Sequence, residues 1–274
     1  IGDYTWRQFS MDHSQPNKDR IVLLGRSSDY MSWPEESWKI GRMYPEIENT
    51  CCVVSQGGTI RTDEESFKDE EGNPVLLVDS TFFSMFSYDF VEGDPGNALS
   101  SPDKCVITES LADVLFPDVD PMGEALRIIG QRSVTISGRD DPYDSTLVYT
   151  VSGVVRDFDK TVLPNDTKII ASIDRHPQIM GYNMTSDVFV STGHGCFKTF
   201  YLLAKGASLD SKREEIWSML KADIPMLEFS FEESGISSAS ITPLRKVMFD
   251  PQNNGSGLEK GNKVLLVILL SAVI

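Results

Sequence analysis

The residue types that most often perform chemistry, histidine and cysteine, are few in this sequence of 274 residues. Its three histidines, His13, His176 and His194, show none of the spacings by which two side chains bind one metal ion. The segment Gly193-His194-Gly195 is typical of a loop, and no Gly-x-Ser-x-Gly motif supplies a nucleophile for its histidine. The sequence therefore predicts no metal site and no catalytic residues.

The four cysteines, Cys51, Cys52, Cys105 and Cys196, lie in or near apolar stretches. Cys51 and Cys52 are adjacent, which is a poor geometry for a disulfide between them. Buried free thiols are the predicted state of all four. Their number does not decide between a reducing and an oxidising compartment.

Phosphate-binding motifs are also missing, since the sequence contains neither Gly-x-Gly-x-x-Gly nor a P-loop. We therefore expect no bound nucleotide and no other cofactor. The acidic stretch from Asp63 to Asn73 could suggest calcium, but Lys68 interrupts it and the alternating oxygen ligands of an EF-hand loop are absent. This stretch is predicted to be the solvated tip of a hairpin.

Composition and charge restrict the class of protein. Hydrophobic residues make up 40% of the chain, which is enough for a substantial core in one large domain or two small ones. The net charge of -16 repels the phosphate backbone of nucleic acids, so nucleic-acid binding is not expected. No signal-peptide pattern opens the sequence, and any targeting element is expected upstream of Ile1.

Short strands and a few helices are mixed along the chain. Apolar and β-branched runs predict strands at 21–24, 51–55, 59–62, 75–78, 106–107, 125–129, 147–155, 168–173, 188–191, 200–204, 229–231 and 239–242. Helices are predicted to begin near Ser32, Ser80, Thr108 and Ser211. Because the helices are too few for a doubly wound sheet, the predicted fold class is α+β.

Some predictions concern individual side chains. Ser32 is expected to cap the first helix, and Asp79 or Ser80 the second. The second helix is expected to contribute an aromatic face to the core, formed by Phe82, Phe83 and Phe86.

The long predicted strand at 147–155 has an apolar face and a mixed face. With a period of two, the apolar face consists of Leu147, Tyr149, Val151 and Val155. Within the same strand, Gly153 is expected to permit a close backbone approach.

The sequence ends in an uncharged apolar run of eleven residues, 264–274, which follows Lys260 and Lys263. A helix that crosses a bilayer needs about 20 apolar residues, because each residue rises only about 1.5 Å. The run is therefore either a buried terminal strand or helix, or the first turns of a membrane helix that continues beyond Ile274. In the second case the two lysines would lie at the headgroup level.

Several phrases of the sequence resemble the periplasmic core domain of MacB-like (FtsX-type) ABC transporter permeases, in the form common in Bacteroidetes. The similar segments are Asp19–Ile21, Pro45–Glu48, Val78–Phe86, Glu92–Pro95 with Ala98–Leu99, Val106–Phe116, Asp120–Gly123, Val151–Asp157, Thr242–Leu244 and Gly261–Asn262. Their common order across nearly the whole chain makes the resemblance specific. The pair Cys51–Cys52 and the segment 176–195 match none of the family's phrases.

The resemblance implies two subdomains and membrane helices just outside both ends. The larger is a discontinuous Porter-like α/β sandwich, at 18–75 and 166–245, and the smaller is a mixed α/β subdomain inserted at 76–165. The remaining segments are a membrane-proximal segment at 1–17, a linker at 246–263 and the start of a truncated transmembrane helix at 264–274.

The same resemblance implies an extracytoplasmic permease domain in the bacterial inner membrane, facing the periplasm and without enzymatic activity of its own. Its implied partners are a cytoplasmic ABC ATPase subunit, a second permease copy and, as an option, a periplasmic adaptor protein. ATP hydrolysis by the ATPase would drive export or mechanical work in the periplasm. Two alternatives remain: a ligand-sensing or binding ectodomain without transport, and a secreted enzyme, which would need a cleft of polar groups with perturbed pKa values.

Overall fold

The computed structural model describes residues 10–26, 30, 32, 34–69, 72–130, 146–175, 197–223, 238–253 and 257–262. Several features of the sequence lie outside these ranges. They are His176, His194, Cys196, the predicted strands at 188–191 and 229–231, and the apolar run 264–274.

Within the described ranges, twelve strands form one mixed sheet. The strands are β1 (Ile21–Arg26), β2 (Ile47–Gln56), β3 (Gly58–Arg61), β4 (Ser66–Lys68), β5 (Val75–Val78), β6 (Phe90–Gly93), β7 (Lys104–Thr108), β8 (Ala125–Gly130), β9 (Thr146–Val155), β10 (Ile169–Ser172), β11 (Lys198–Leu203) and β12 (Ala239–Pro243). Their order is β12-β1-β11-β2-β5-β10-β7-β9-β8-β3-β4, and β6 pairs with β9 beside this path. Strands β5 and β10 are parallel, as are β7 and β9, while the other pairs are antiparallel.

The described helices are short and few. They are α1 (Pro34–Met43), α2 (Phe82–Met85), α3 (Glu109–Leu115), α4 (Arg213–Asp223) and α5 (Leu244–Val247), with 3-10 turns at Ile173–Arg175 and Asp210–Lys212. One mixed sheet with this small number of helices confirms the predicted α+β class.

The sheet separates the apolar core into two sides, because successive side chains of a strand point to opposite faces. One side holds a single cluster that includes Phe82, Phe86 and Phe200, all almost fully buried. The opposite side holds one cluster under α3 and another under α1 and α4. The predicted role of the α2 aromatic residues in the core is therefore confirmed.

The predicted cap of α2 is wrong, and Ser32 has partners outside helix α1. The Ser32 hydroxyl bonds the Phe197 carbonyl at 3.2 Å and the Thr199 hydroxyl at 2.7 Å, in the interior of the domain. Helix α2 follows Thr81, whose side chain makes no capping bond, and Asp79 accepts a bond from the helix only through its backbone carbonyl. The Asp79 carboxylate binds distant partners instead, which local spacing does not reveal.

Strand β9 contains an irregularity that changes which residues share a face. Cys105 of β7 pairs with Val151 and the next residue pairs with Gly153, so that Ser152 is an extra residue in β9. After this bulge the alternation shifts by one. Val154 therefore joins the cluster under α3, whereas Val155 packs on the opposite side, contrary to its predicted face.

Gly153 provides the predicted close approach. A Cβ atom at this position would lie 2.7 Å from Cε1 of Phe90, which belongs to the neighbouring strand β6. Its partner Gly93 has a φ of +93°, a conformation that side-chain-bearing residues rarely adopt. Both glycines allow β6 to lie against β9.

The division into two subdomains stays a prediction. Strands from both predicted units lie in the same sheet, since β2 pairs with β5 and β3 pairs with β8. The described part of the predicted linker at 246–263 is packed against the domain, with Met248, Asn253 and Leu258 buried. Among the described residues, no helix has the length and apolar character needed to cross a bilayer.

Candidate functional site

Among the residues that the sequence marked for possible chemistry, those that the structure describes form no common site. His13 is exposed, and its carbonyl accepts a bond from Lys18 Nζ. Cys51, Cys52 and Cys105 are buried thiols outside any disulfide, as predicted, and burial raises the pKa of the Cys51 and Cys105 thiols. Within the described ranges, no three histidine, cysteine or acidic residues are grouped so that they could hold a metal ion.

A different site emerges at the loop between β9 and β10, where segments from both ends of the described chain meet. We call it the terminal junction and define it by Asp12, Thr161, Val162, Asn165 and Glu259. The residues that meet here are separated by about 94 to 150 positions in the sequence. The loop therefore connects the first and last described segments directly.

Asp12 anchors the N-terminal side of the junction and is only 2% exposed. Its carboxylate accepts a bond from the Thr161 hydroxyl at 3.0 Å and from the Val162 amide at 3.0 Å. Its own amide donates to the Lys160 carbonyl at 2.7 Å. Asp12 and Lys160 both have φ near +54°, so each backbone turns back at the point of contact.

Burial dominates the electrostatics of Asp12. Removal from water raises the pKa of this carboxyl to about 6, while the bonds from Thr161 and Val162 act in the opposite direction. The carboxyl therefore titrates closer to neutrality than an exposed aspartate. At pH 7 the carboxyl is mostly ionised, and it accepts hydrogen bonds from the Thr161 hydroxyl and the Val162 amide.

Glu259 anchors the C-terminal side of the same loop. Its amide donates to the Val162 carbonyl at 2.8 Å, and its carboxylate accepts from the Asn165 amide at 3.0 Å. The Asn253 side chain donates to the Glu259 carbonyl at 2.8 Å and closes the turn before it. Val162 thus binds the N-terminal segment through its N–H and the C-terminal segment through its C=O.

Further contacts hold the N-terminal segment against α2 and the residues that follow it. The Gln15 amide forms two bonds with the backbone of Ser87, at 2.9 and 2.7 Å. Asn17 donates to the Met85 carbonyl at 3.2 Å. Beyond them, Asp19 pairs with Arg245 of α5 at 2.8 Å, an exposed ion pair that links the two terminal segments a second time.

The loop itself is fixed to the sheet on its other side. Asp157 accepts bonds from Lys168 Nζ at 2.7 Å and from the Ser110 amide at 3.0 Å, at the start of α3. These partners lower the pKa of Asp157 although partial burial opposes them. Displacement of the terminal segments would therefore act on β9, β10 and α3 through this loop.

A second carboxylate with a raised pKa, Asp79, is half-buried and follows the end of β5. It accepts bonds from the Cys52 amide at 2.6 Å and from Trp38 Nε1 at 3.0 Å. Burial raises the pKa of Asp79 to about 6, and the two donors lower it. Asp79 therefore attaches helix α1 to strand β2 in the interior of the sheet.

Sequence reasoning identified none of the terminal junction. Asp12 lies in a mixed polar stretch without periodicity, and Glu259 lies in a Gly/Asn-rich stretch that is typical of linkers. The only local signal was the Val-Val-Arg-Asp phrase that ends at Asp157, which the family resemblance marked without giving it a role.

Comparison with known proteins agrees with this architecture. The family model that describes a MacB-like periplasmic core domain matches residues 1–218 of the 274. The chain is thus a periplasmic domain of the ABC transporter permease class. It belongs to the MacB-like periplasmic core domain family, which is a family of transporter domains rather than of enzymes.

Three solved structures are similar to this chain, and the first of them shows the same fold. A domain of a Porphyromonas gingivalis protein described as a permease is 17% identical, with a TM-score of 0.56, over 92% of this chain and 98% of that one. The periplasmic region of MacB from Actinobacillus actinomycetemcomitans is 11% identical, with a TM-score of 0.49, over 83% and 90% of the two chains. The extracellular domain of the noncanonic ABC-type transporter YknZ from Gram-positive bacteria is 11% identical, with a TM-score of 0.48, over 81% and 99%. No curated protein matches the sequence.

Proposed function

We propose that this domain transmits movement between the membrane part of a permease and the periplasm. A separate cytoplasmic ABC ATPase would supply the energy, and the result would be export or mechanical work on a periplasmic substrate. The permease would lie in the bacterial inner membrane with this domain in the periplasm. A second permease copy and, optionally, a periplasmic adaptor protein would complete the assembly.

The terminal junction is the observation that carries this proposal. Both terminal segments, which would lead to flanking membrane helices, bind one residue, Val162, through its two backbone groups. The loop that contains Val162 is in turn bonded through Asp157 to α3 and to Lys168, the residue that precedes β10. Relative movement of two membrane helices would therefore reach the sheet through this loop.

The test uses the full-length permease together with its ATPase in membranes. Cysteines placed at Asp19 and Arg245, whose side chains form an ion pair, would be joined with a short reducible crosslinker. We expect crosslinking to lower ATP turnover by about tenfold, because the terminal segments can no longer separate, and we expect reductant to restore it.

The Asp19→Cys and Arg245→Cys single variants, treated in the same way, are the matched controls. Unchanged turnover in the crosslinked double variant would contradict the proposal. That outcome would favour a binding or sensing ectodomain whose termini do not move during the ATP cycle.

A further inference from the structure

A cleft of about 420 Å³ lies at the far edge of the sheet, away from the terminal junction. One wall is the tip of the β3–β4 hairpin, at 62–65, and the other is formed by the end of α3 and the start of β8. Its volume is in the range of about 300–1,000 Å³ that is usual for binding sites. We call it the edge cleft.

The edge cleft has an apolar wall that is partly open to solvent. Leu115, Phe116, Pro117, Val119 and Ala125 line it. Leu115 is buried, whereas Val119 is 57% exposed, the largest value among the exposed large hydrophobic side chains of the described residues. The exposed part of this wall can receive an apolar side chain of another molecule.

The rim of the edge cleft carries uncompensated negative charge. Asp63 is paired with Arg127 at 2.5 Å. The other four rim carboxylates, Glu64, Glu65, Asp118 and Glu124, are exposed, and they form no ion pair with any residue that the structure describes. Some carboxylates elsewhere in the described chain, such as Asp157 with Lys168, do have cationic partners.

The hairpin wall is held in one conformation by its own turn. The Thr62 hydroxyl accepts bonds from the Glu64 and Glu65 amides at 3.3 and 2.9 Å, and the Thr62 amide donates to the Glu65 carbonyl at 2.9 Å. Glu64 and Glu65 therefore project from an ordered turn, so little backbone entropy is lost when a ligand binds them.

From this combination we infer that the edge cleft docks a basic segment of a partner protein, one whose apolar side chain covers the wall while lysine or arginine side chains meet the rim. A second copy of this chain does not fit, because each copy carries a net charge of -16. The uncharged run 264–274 does not fit either, because it offers no cation to the rim. The inference goes beyond the proposed function, since docking is a property of this domain whether or not it is coupled to an ATPase.

The probe is a seven-residue peptide in which lysine alternates with leucine, and its comparison peptide has lysine alternating with serine. Binding to the 274-residue chain is measured by fluorescence anisotropy at low salt. We expect the lysine–leucine peptide to bind with an affinity about tenfold above that of the lysine–serine peptide. Equal affinities, or no binding of the lysine–leucine peptide, would overturn the inference.

Two triple variants separate docking from general attraction to an acidic protein. The first, Glu64→Gln with Glu65→Gln and Glu124→Gln, neutralises three of the four unpaired rim carboxylates. The matched control, Asp89→Asn with Glu92→Gln and Glu214→Gln, removes the same charge from exposed positions outside the cleft.

We expect the rim variant to bind the lysine–leucine peptide about tenfold more weakly and the control to change less than about twofold. Equal weakening in both would overturn the inference. The Val119→Ser variant, at an exposed site where misfolding is not expected, should weaken binding of the lysine–leucine peptide alone.

Discussion

Asp12 is buried and Asp79 is half-buried, and the pKa of each carboxyl is raised to about 6, yet the two residues join very different parts of the chain. Asp79 binds groups that are 27 and 41 residues away, and it attaches α1 to the middle of the sheet. Asp12 binds groups about 150 residues away, and it attaches the first described segment to a loop that also holds the last. The same chemistry therefore serves the stability of the fold at one site and the connection of its ends at the other.

This difference has a consequence for stability. Strand β5 and residues 51–54 of β2, beside Asp79, are buried on both faces, so they cannot open without loss of the core. The segment that contains Asp12 precedes β1 and belongs to none of the described strands, so we expect it to open locally. We expect Asp79 to affect global unfolding and Asp12 to affect local opening.

The largest expected effect is that of Asp79→Ala. Two N–H donors lose their acceptor, at a cost of about 1–3 kcal/mol each, and removal of a half-buried charge offsets part of that cost. The free energy of unfolding, measured by urea denaturation, should fall by about 2 kcal/mol.

Asp12→Ala is the direct comparison for this variant. This variant should lower the free energy of global unfolding by less than about 1 kcal/mol. The hydrogen exchange of the Val162 amide should accelerate by about tenfold or more. If Asp12→Ala and Asp79→Ala lowered global stability equally without faster exchange at Val162, the two regions would not differ in the way described.

Much of the interior that contains Asp79 could be predicted from the sequence. The strand at 75–78 and the aromatic face of α2 follow from apolar patterns that report burial directly. What could not be predicted is the partner of the Asp79 side chain. A cap is a local contact and can be read from spacing, whereas the bonds to Trp38 and Cys52 depend on how α1 crosses the sheet.

The terminal junction could not be predicted because its contacts are long-range and mostly use backbone groups. The valine side chain at position 162 gives no sign that the amide and carbonyl of this residue bind the first and last described segments. Similarly, the bulge at Ser152, which moves Val155 to the other face of the sheet, leaves no trace in an alternating apolar pattern. Composition also suggested an unattached linker near Glu259, although that segment is packed against the domain.

A smaller effect concerns the pH dependence of the free energy of unfolding, and it separates the contribution of Asp12 from that of Asp79. Because the pKa of Asp12 in the folded protein, about 6, lies above its ordinary value of 3.8, the folded protein binds this proton more readily than the unfolded chain. The stabilisation from protonation is complete below about pH 3.8 and is lost as the pH rises through about 6. Lowering the pH from about 7 to 5 should raise the free energy of unfolding of the natural protein by about 1 kcal/mol relative to Asp12→Asn.

Asp79 is present in both proteins of this pair, so its own titration cancels in the difference. Urea denaturation at several pH values in this window gives the measurement. A difference that stayed constant from pH 5 to 7 would mean that the Asp12 carboxyl has its ordinary pKa and that its burial is not retained in solution.

The smallest expected effect concerns the ion pair between Asp19 and Arg245, which links the same two segments as the terminal junction but on the surface. Their side chains are 67% and 52% exposed, so water and salt screen the attraction. A double-mutant cycle with Asp19→Ala and Arg245→Ala should give a coupling of about 0.2–1 kcal/mol at low salt and less at about 0.5 M salt. A salt-insensitive coupling above about 2 kcal/mol would show instead that charge on the surface holds the ends together, and that the buried bonds of Asp12 and Glu259 are secondary.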